Sequence, residues 1–278
     1  MPRFVAATDL SDRGDRAVHR AILLAAANGA RLTVVTVIDD VLPGALARQM
    51  IAASEEALKH IVASFAEAAG ADVDVKVILG DPAQSVAQYA MAEEADLLIL
   101  GRHRRRPIAD IFLQTTVERI VALVSCPVLL VTDAPAKPYG SVLQAIDFSP
   151  ASAAASARAI NFAPDARHDG IHIYHVPYKG LMPGDSVSAF LHEAELAEAS
   201  WRNRFGIEPK DLTIRLVEGG VQSELAQAIA AGKPDLIAVG AHGRTGVSVA
   251  VLGSVATSLM RDPPCDLLIV RPDPGRFA

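Results

Sequence analysis

"PDLIAVGAHGRTGVSVAVLGS", residues 234–254, decides how this chain is read. An apolar run, Leu236–Val239, stops at Gly240 and opens into a loop with further glycines at 243, 246 and 253. A serine follows the last of them. Strands of parallel sheets read as near-continuous aliphatic runs, and their ligands sit beyond the carboxyl ends. The same pattern occurs 139 residues earlier as "ADLLILGRHRRRPIADIFLQT", residues 95–115. There Arg104 and Gln114 stand where Gly243 and Gly253 stand in the later copy.

Two more pairs of blocks extend the match. "ATDLS" at 7–11 returns as "AIDFS" at 145–149, an offset of 138, and "CPVLLV" at 126–131 returns as "CDLLIV" at 265–270, an offset of 139. A near-constant offset across three blocks marks an internal repeat. A chain of 278 residues holds two domains of about 100–150 residues each. The expected domains are 1–134 and 139–278, joined through "TDAPAKPYG" at 132–140, where two prolines and a glycine break regular structure.

Within the first unit, "RFVAAT", "RLTVVTVI", "VDVKVI", "DLLIL" and "PVLLV" read as buried strands of a parallel sheet. Helical windows lie between them. In 46–69, Leu46, Met50, Leu58, Ile61, Val62 and Phe65 fall on one stripe, and in 185–205 of the second unit so do Phe190, Ala194, Ala197, Trp201 and Phe205. Five strands alternating with four helices give an α/β fold in each half: a doubly wound, parallel five-stranded sheet flanked by helices. With strand order 3-2-1-4-5, the winding reverses between the first and fourth strands. That places Asp147, at the end of the second unit's first strand, opposite Gly240. Cys126 and Cys265 begin the last strands and read as small core residues.

Composition narrows the class. Hydrophobic residues make up 51% and the net charge is −6, so the chain as a whole has no pull toward nucleic acid or anionic lipid. No window resembles a membrane span of about 20 apolar residues. The first residues alternate in charge and do not read as a signal peptide, and two cysteines form no disulfide framework, so a reducing cytoplasm is expected. The Arg102–Arg106 patch, "RHRRR", has no flanking aromatic platform and reads as a solvated or salt-bridged loop, with an anion or regulatory-partner site as the alternative. His168, His172, His175 and His192 do not read as a metal site, since residues 172 and 175 point to opposite faces of a strand. No G-x-x-x-x-G-K-[ST], G-x-G-x-x-G or G-x-S-x-G is present, and no catalytic constellation stands out.

The glycines fit a polyphosphate loop. Backbone amides must approach the oxygens closely, some at positive φ, and Gly240 and Gly243 meet both needs. Gly253 and Ser254 open the next helix, whose N-terminus favours an anion. Ser254 adds a hydroxyl and also suits an N-cap.

Gly240-x2-Gly243-x9-Gly253-Ser254 resembles the nucleotide-binding signature of universal stress proteins at every defined position, and the resemblance extends over both repeats. It implies ATP, or a related adenine nucleotide with Mg2+, in the second domain. Asp147 would accept a hydrogen bond from adenine and Val176, near the end of strand two, would flank the base. Gly240, Gly243, Gly253, Ser254 and Val255 would hold ribose and phosphates, with His242 and Arg244 in the same loop. The first domain keeps Asp9 and Gly101 but carries Arg104, Gln114 and Thr115, so it is expected to have lost or weakened binding. The function implied is that of a cytoplasmic regulatory protein of the stress response, with an unidentified protein partner. The alternatives are a slow ATP hydrolase or phosphotransferase using the same loop, and a nucleotide-free scaffold. In that family the last strand pairs across a dimer. The tandem chain is therefore expected as a pseudo-dimer, and two chains as a homodimer.

Overall fold

A computed structural model describes residues 1–102, 115–135, 137–178, 184–241 and 252–272. The chain divides into two units, Met1–Pro138 and Tyr139–Ala278.

Unit 1 runs β1 (Arg3–Ala7), α1 (Asp12–Asn28), β2 (Arg31–Ile38), α2 (Gly44–Ala69), β3 (Val73–Leu79), α3 (Pro82–Ala92), β4 (Leu97–Gly101), α4 (Thr116–Leu123) and β5 (Val128–Val131). Its strands lie in the order β3-β2-β1-β4-β5, all parallel. Unit 2 repeats the plan with β6 (Ser141–Ile146), α5 (Pro150–Phe162), β7 (Arg167–Tyr174), α6 (Gly184–Phe205), β8 (Thr213–Glu218), α7 (Val221–Gly232), β9 (Leu236–Gly240), α8 (Ser254–Arg261) and β10 (Asp266–Val270). Its order is β8-β7-β6-β9-β10, again all parallel. Each unit therefore has the order 3-2-1-4-5. Right-handed crossovers then put the first two helices on one face and the last two on the other. Accordingly α1 packs on α2, and α3 on α4.

Burial follows the topology, with three departures from the reading of the sequence. Central strands such as β4 are buried on both faces, but β3 alternates, with Asp74 and Lys76 exposed, because an edge strand is covered on one side only. Along α2, Leu58 and Val62 are buried while Leu46 and Met50 are exposed, so only the later part of the stripe reaches the core. The α6 stripe meets the sheet through Ala194 and Trp201, and Trp201 forms a cluster with Ile146, Ala153, Ile207 and Leu212. Removing an indole from such a cluster costs about 3–5 kcal/mol. Cys126 and Cys265 form no disulfide and are half-buried, just ahead of β5 and β10, rather than in the core. Tyr139 is buried, and its hydroxyl donates to Asp266 at 2.6 Å, tying the first residue of unit 2 to its last strand.

Candidate functional site

In unit 2, β6 and β9 are hydrogen-bonded neighbours, and the helices that follow them leave for opposite faces of the sheet. A cavity of about 170 Å³ opens where they part. Its apolar wall comes from Ile171 and Ile173 of β7 and from Val221 and Leu225 of α7, and its polar rim from Asp147, Gly240 and Gly253 to Val255. The structure thus gathers five of the residues singled out from sequence, Asp147, Gly240, Gly253, Ser254 and Val255, on the cavity, whereas Val176 is buried two residues beyond β7 and off the wall. His242, Gly243 and Arg244 lie outside the described residues, as do Arg104, Gln114 and most of the Arg102–Arg106 patch.

Gly240 is needed for a reason other than the expected one. Its φ is not in the left-handed region. A Cβ there would stand 2.7 Å from the carbonyl carbon of Ala151 and 2.9 Å from the amide nitrogen of Ser152, inside the first turn of α5. Gly101 meets the same constraint, its Cβ position lying 2.8 Å from the carbonyl oxygen of Arg13 in α1. Both glycines let a helix start close over the end of the fourth strand.

Gly253 is the N-cap of α8, at φ −63° and ψ 152°, and no side chain caps the helix. Its N–H donates to the Ala241 carbonyl at 2.7 Å, and intrahelical bonding begins with Thr257 donating to the Gly253 carbonyl at 2.9 Å. Ser254 is accordingly the first helical residue, not the N-cap, because the glycine already adopts the extended capping conformation. The amides of residues 254–256 precede the first intrahelical bond and point out of the helix end. The second helix bordering the cavity, α7, likewise starts from a glycine, Gly220, with no side-chain cap.

Unit 1 fills the equivalent positions with its own side chains. Thr115 caps α4 in a full capping box: its hydroxyl accepts from the Glu118 amide at 3.1 Å, and the Glu118 carboxylate accepts from the Thr115 amide at 2.9 Å. Glu118 is buried. Asp81 caps α3, accepting from the Gln84 amide at 2.9 Å. Arg119 of α4 then grips both oxygens of Asp81, at 3.0 and 3.3 Å. The Gln84 amide, with Arg119 beside it, holds the Asp81 carboxyl below the usual carboxylate range. Acidic residues also crowd the first helix. Partial burial and the neighbouring Asp12 and Asp9 raise the Asp15 carboxyl. The matching first turn of α5 has no acidic residue.

The turn after the first strand is alike in both units. Asp147 Oδ1 accepts from the Ser149 amide at 3.0 Å, and Asp9 Oδ1 from the Ser11 amide at 3.1 Å. Between them Phe148 and Leu10 have φ of 60° and 58°. Bulky residues in the left-handed region are outliers, each strained by about 1–2 kcal/mol.

The histidines separate. His168 is buried, accepting from the Gln144 amide nitrogen at 3.0 Å and donating to the Ala163 carbonyl at 2.9 Å. His172 donates from Nδ1 to the Ile146 carbonyl at 2.9 Å and stacks on Phe148, and it lines the cavity along with Ile171 and Ile173. His175 lies past the end of β7, and His192 is an exposed partner of Glu195 on α6. Among the described residues, no three His, Cys, Asp or Glu side chains group as a metal site would require. The apolar wall was missed in the sequence, although Ile171 and Ile173 alternate on one strand face and Val221 follows a double glycine.

Each unit is a doubly wound α/β unit, and in such folds the crevice at the switch point, where this cavity lies, is the usual place for a ligand. The universal stress protein family model matches residues 1–132 and again 138–271, and the chain belongs to that family as a tandem-type member. Universal stress protein E of Escherichia coli K12 is 24% identical over 253 residues, covering 81% of this chain and 77% of the relative. Universal stress protein Rv2005c of Mycobacterium tuberculosis is 28% identical over 219 residues, covering 74% and 72%. Among solved structures, a universal stress protein from Archaeoglobus fulgidus superposes with a TM-score of 0.71 at 19% identity, covering 98% of each chain, a likeness of fold. Among the described residues no helix is long and apolar enough to cross a membrane.

Proposed function

We propose that this protein is a regulatory member of the stress response that binds one adenine nucleotide per chain, in unit 2. The observation that carries the reading is the contrast at the helix ends. In unit 2 two helices, α7 and α8, border one cavity with glycine N-caps that make no side-chain cap hydrogen bond, and the α8 first turn has no acidic residue, while that of α7 carries Glu224. A phosphate chain at α8 would receive the outward amides of residues 254–256 and the Ser254 hydroxyl. Ile171, Ile173, Val221 and Leu225 supply an apolar slot suited to a flat base, and Asp147 an acceptor for a donor on the base or sugar. Mg2+ would be carried on the phosphates, since Asp147 is the one carboxylate on the described part of the wall. In unit 1 a buried carboxylate, Glu118, already occupies the helix end where phosphate would sit.

The test is to denature the purified protein and quantify released nucleotide, alongside Gly253→Gln, which puts a side chain at the α8 cap. One adenine nucleotide per chain, absent from the variant, is the expected result. Two per chain would show that unit 1 binds as well, and none after incubation with ATP would refute the reading.

A further inference from the structure

We infer that His172 and Trp201 are positioning residues that hold Asp147 in place for the ligand, a proposal that rests on unit 2 being the nucleotide site. The backbone on either side of Asp147 is gripped from two other elements. On one side His172, on β7, donates from Nδ1 to the Ile146 carbonyl at 2.9 Å. On the other, Trp201, on α6, donates from its indole N–H to the Ser149 carbonyl at 3.1 Å. Between these two anchors stands Phe148 in the left-handed conformation, at φ 60°. Its ring stacks on His172, with centroids 4.1 Å apart, and meets Trp201 at 5.8 Å. Trp201 in turn contacts Phe205 edge-on at 6.2 Å. A bulky residue stays in that region only where its surroundings over-determine it, and such residues gather at ligand sites.

The chemistry of the brace is specific to this half of the chain. The Ile146 carbonyl can only accept, so His172 presents Nδ1–H, and both anchors are ring N–H donors buried against carbonyls. In unit 1 the same Asp–X–Ser turn has the aliphatic Leu10 at the strained position. Thr36 pairs in register one residue beyond Val35 and occupies the His172 position, and Phe65 stands five residues before the helix-ending Gly70 as Trp201 does before Gly206. Phe65 stacks on His19 of α1, with centroids 4.3 Å apart. The turn of unit 1 is thus built from residues that cannot form the two-donor grip. The aspartate of unit 2 is fixed before any ligand arrives, which preserves affinity that would otherwise go into ordering it.

The experiment compares ATP with inorganic tripolyphosphate, which can use the α8 end but has no base or sugar for Asp147. Trp201→Phe keeps an aromatic ring and removes the N–H; His172→Leu removes the other donor and serves if the first variant folds poorly. Each is expected to weaken ATP binding about tenfold, as does Asp147→Ala, which removes the acceptor, in line with the loss of one buried hydrogen bond. Tripolyphosphate affinity should not change. Because the brace acts through Asp147, adding Trp201→Phe to Asp147→Ala should cause no further loss. Equal losses for the two ligands, additive losses in the double variant, or unchanged ATP affinity in Trp201→Phe would each overturn the proposal. If Asp147→Ala leaves ATP affinity intact, the brace fails while the nucleotide reading stands; if the parent protein binds no ATP, both fail.

Discussion

The two helices that follow β4 and β9 bury matching faces. Val117, Ile120 and Val121 of α4 correspond in sequence to Ala256, Leu259 and Met260 of α8, each pair 139 residues apart. Their N-termini nevertheless differ in kind: α4 begins with a capping box, while α8 begins one residue earlier in that alignment with a bare glycine. Near them α3 is capped by Asp81 and latched by Arg119, whereas the α7 N-cap is Gly220, which makes no side-chain cap bond. Every helix end must find partners for its leading amides. Unit 1 finds them within the chain and gains stability there, while unit 2 leaves the place open at the edge of a cavity. The same strand order thus carries two kinds of helix start, one capped by side chains and one by glycine.

What the halves share is tested by the largest effect. Alanine at Gly240 or at Gly101 would drive a Cβ to 2.7 or 2.8 Å from backbone atoms of the overlying helix, which cannot rotate away as a side chain can. Overpacking of this kind costs about 1–3 kcal/mol. Both Gly240→Ala and Gly101→Ala should therefore lower the unfolding free energy by comparable amounts in denaturant titrations. If only Gly240→Ala did so, the glycines would not be a common packing device, and the comparison would lose its base.

The caps should separate the halves. Thr115→Ala removes the hydroxyl that accepts from the Glu118 amide and should destabilise the protein by about 1 kcal/mol. Ser254→Ala removes a hydroxyl from the first helical position, where it caps nothing, so stability should not change while nucleotide affinity falls. Chemical denaturation and calorimetric titration of the two variants would check this. Equal destabilisation by both would mean that Ser254 is a structural cap and the α8 end is not open.

Much of this arrangement was legible in the sequence. The repeat was visible because three blocks kept one spacing, and the crevice followed from strand order alone, since the fourth strand of a 3-2-1-4-5 sheet must end beside the first. The glycine at position 240 was recognised for its lack of a side chain, but what needs that space is α5, an element far away in sequence. Thr115 and Glu118 carry the spacing of a capping box and could have been read from "TTVE". The grip on Asp147 could not. His172 and Trp201 lie 29 residues apart on different elements, and nothing local to either marks an imidazole and an indole aimed at neighbouring carbonyls. The apolar wall escaped for the same reason, since Val221 and Leu225 reach the cavity only because the α7 crossover returns over β7 and β6.

The smallest effect concerns charge. Asp15 stands in α1 with Asp12 in the same turn and Asp9 just ahead, and partial burial followed by those two carboxylates raises its titration point above the ordinary value. A carboxyl with a raised titration point in the folded state weakens folding wherever it is ionised. The helix dipole works the other way on a carboxylate in the first turn of α1, yet the net direction of the shift is upward. Repulsion and burial therefore outweigh it. Asp15→Asn should raise the Tm slightly at neutral pH. The gain should shrink as pH falls through the raised titration point and vanish below the ordinary carboxylate range, where the parent aspartate is protonated in both states. The equivalent position in α5 is Ala153, so unit 2 carries no such burden. A Tm that did not change with the substitution, or a gain that persisted into acid, would mean that the cluster is relieved by solvent and that charge does not distinguish the two crevices.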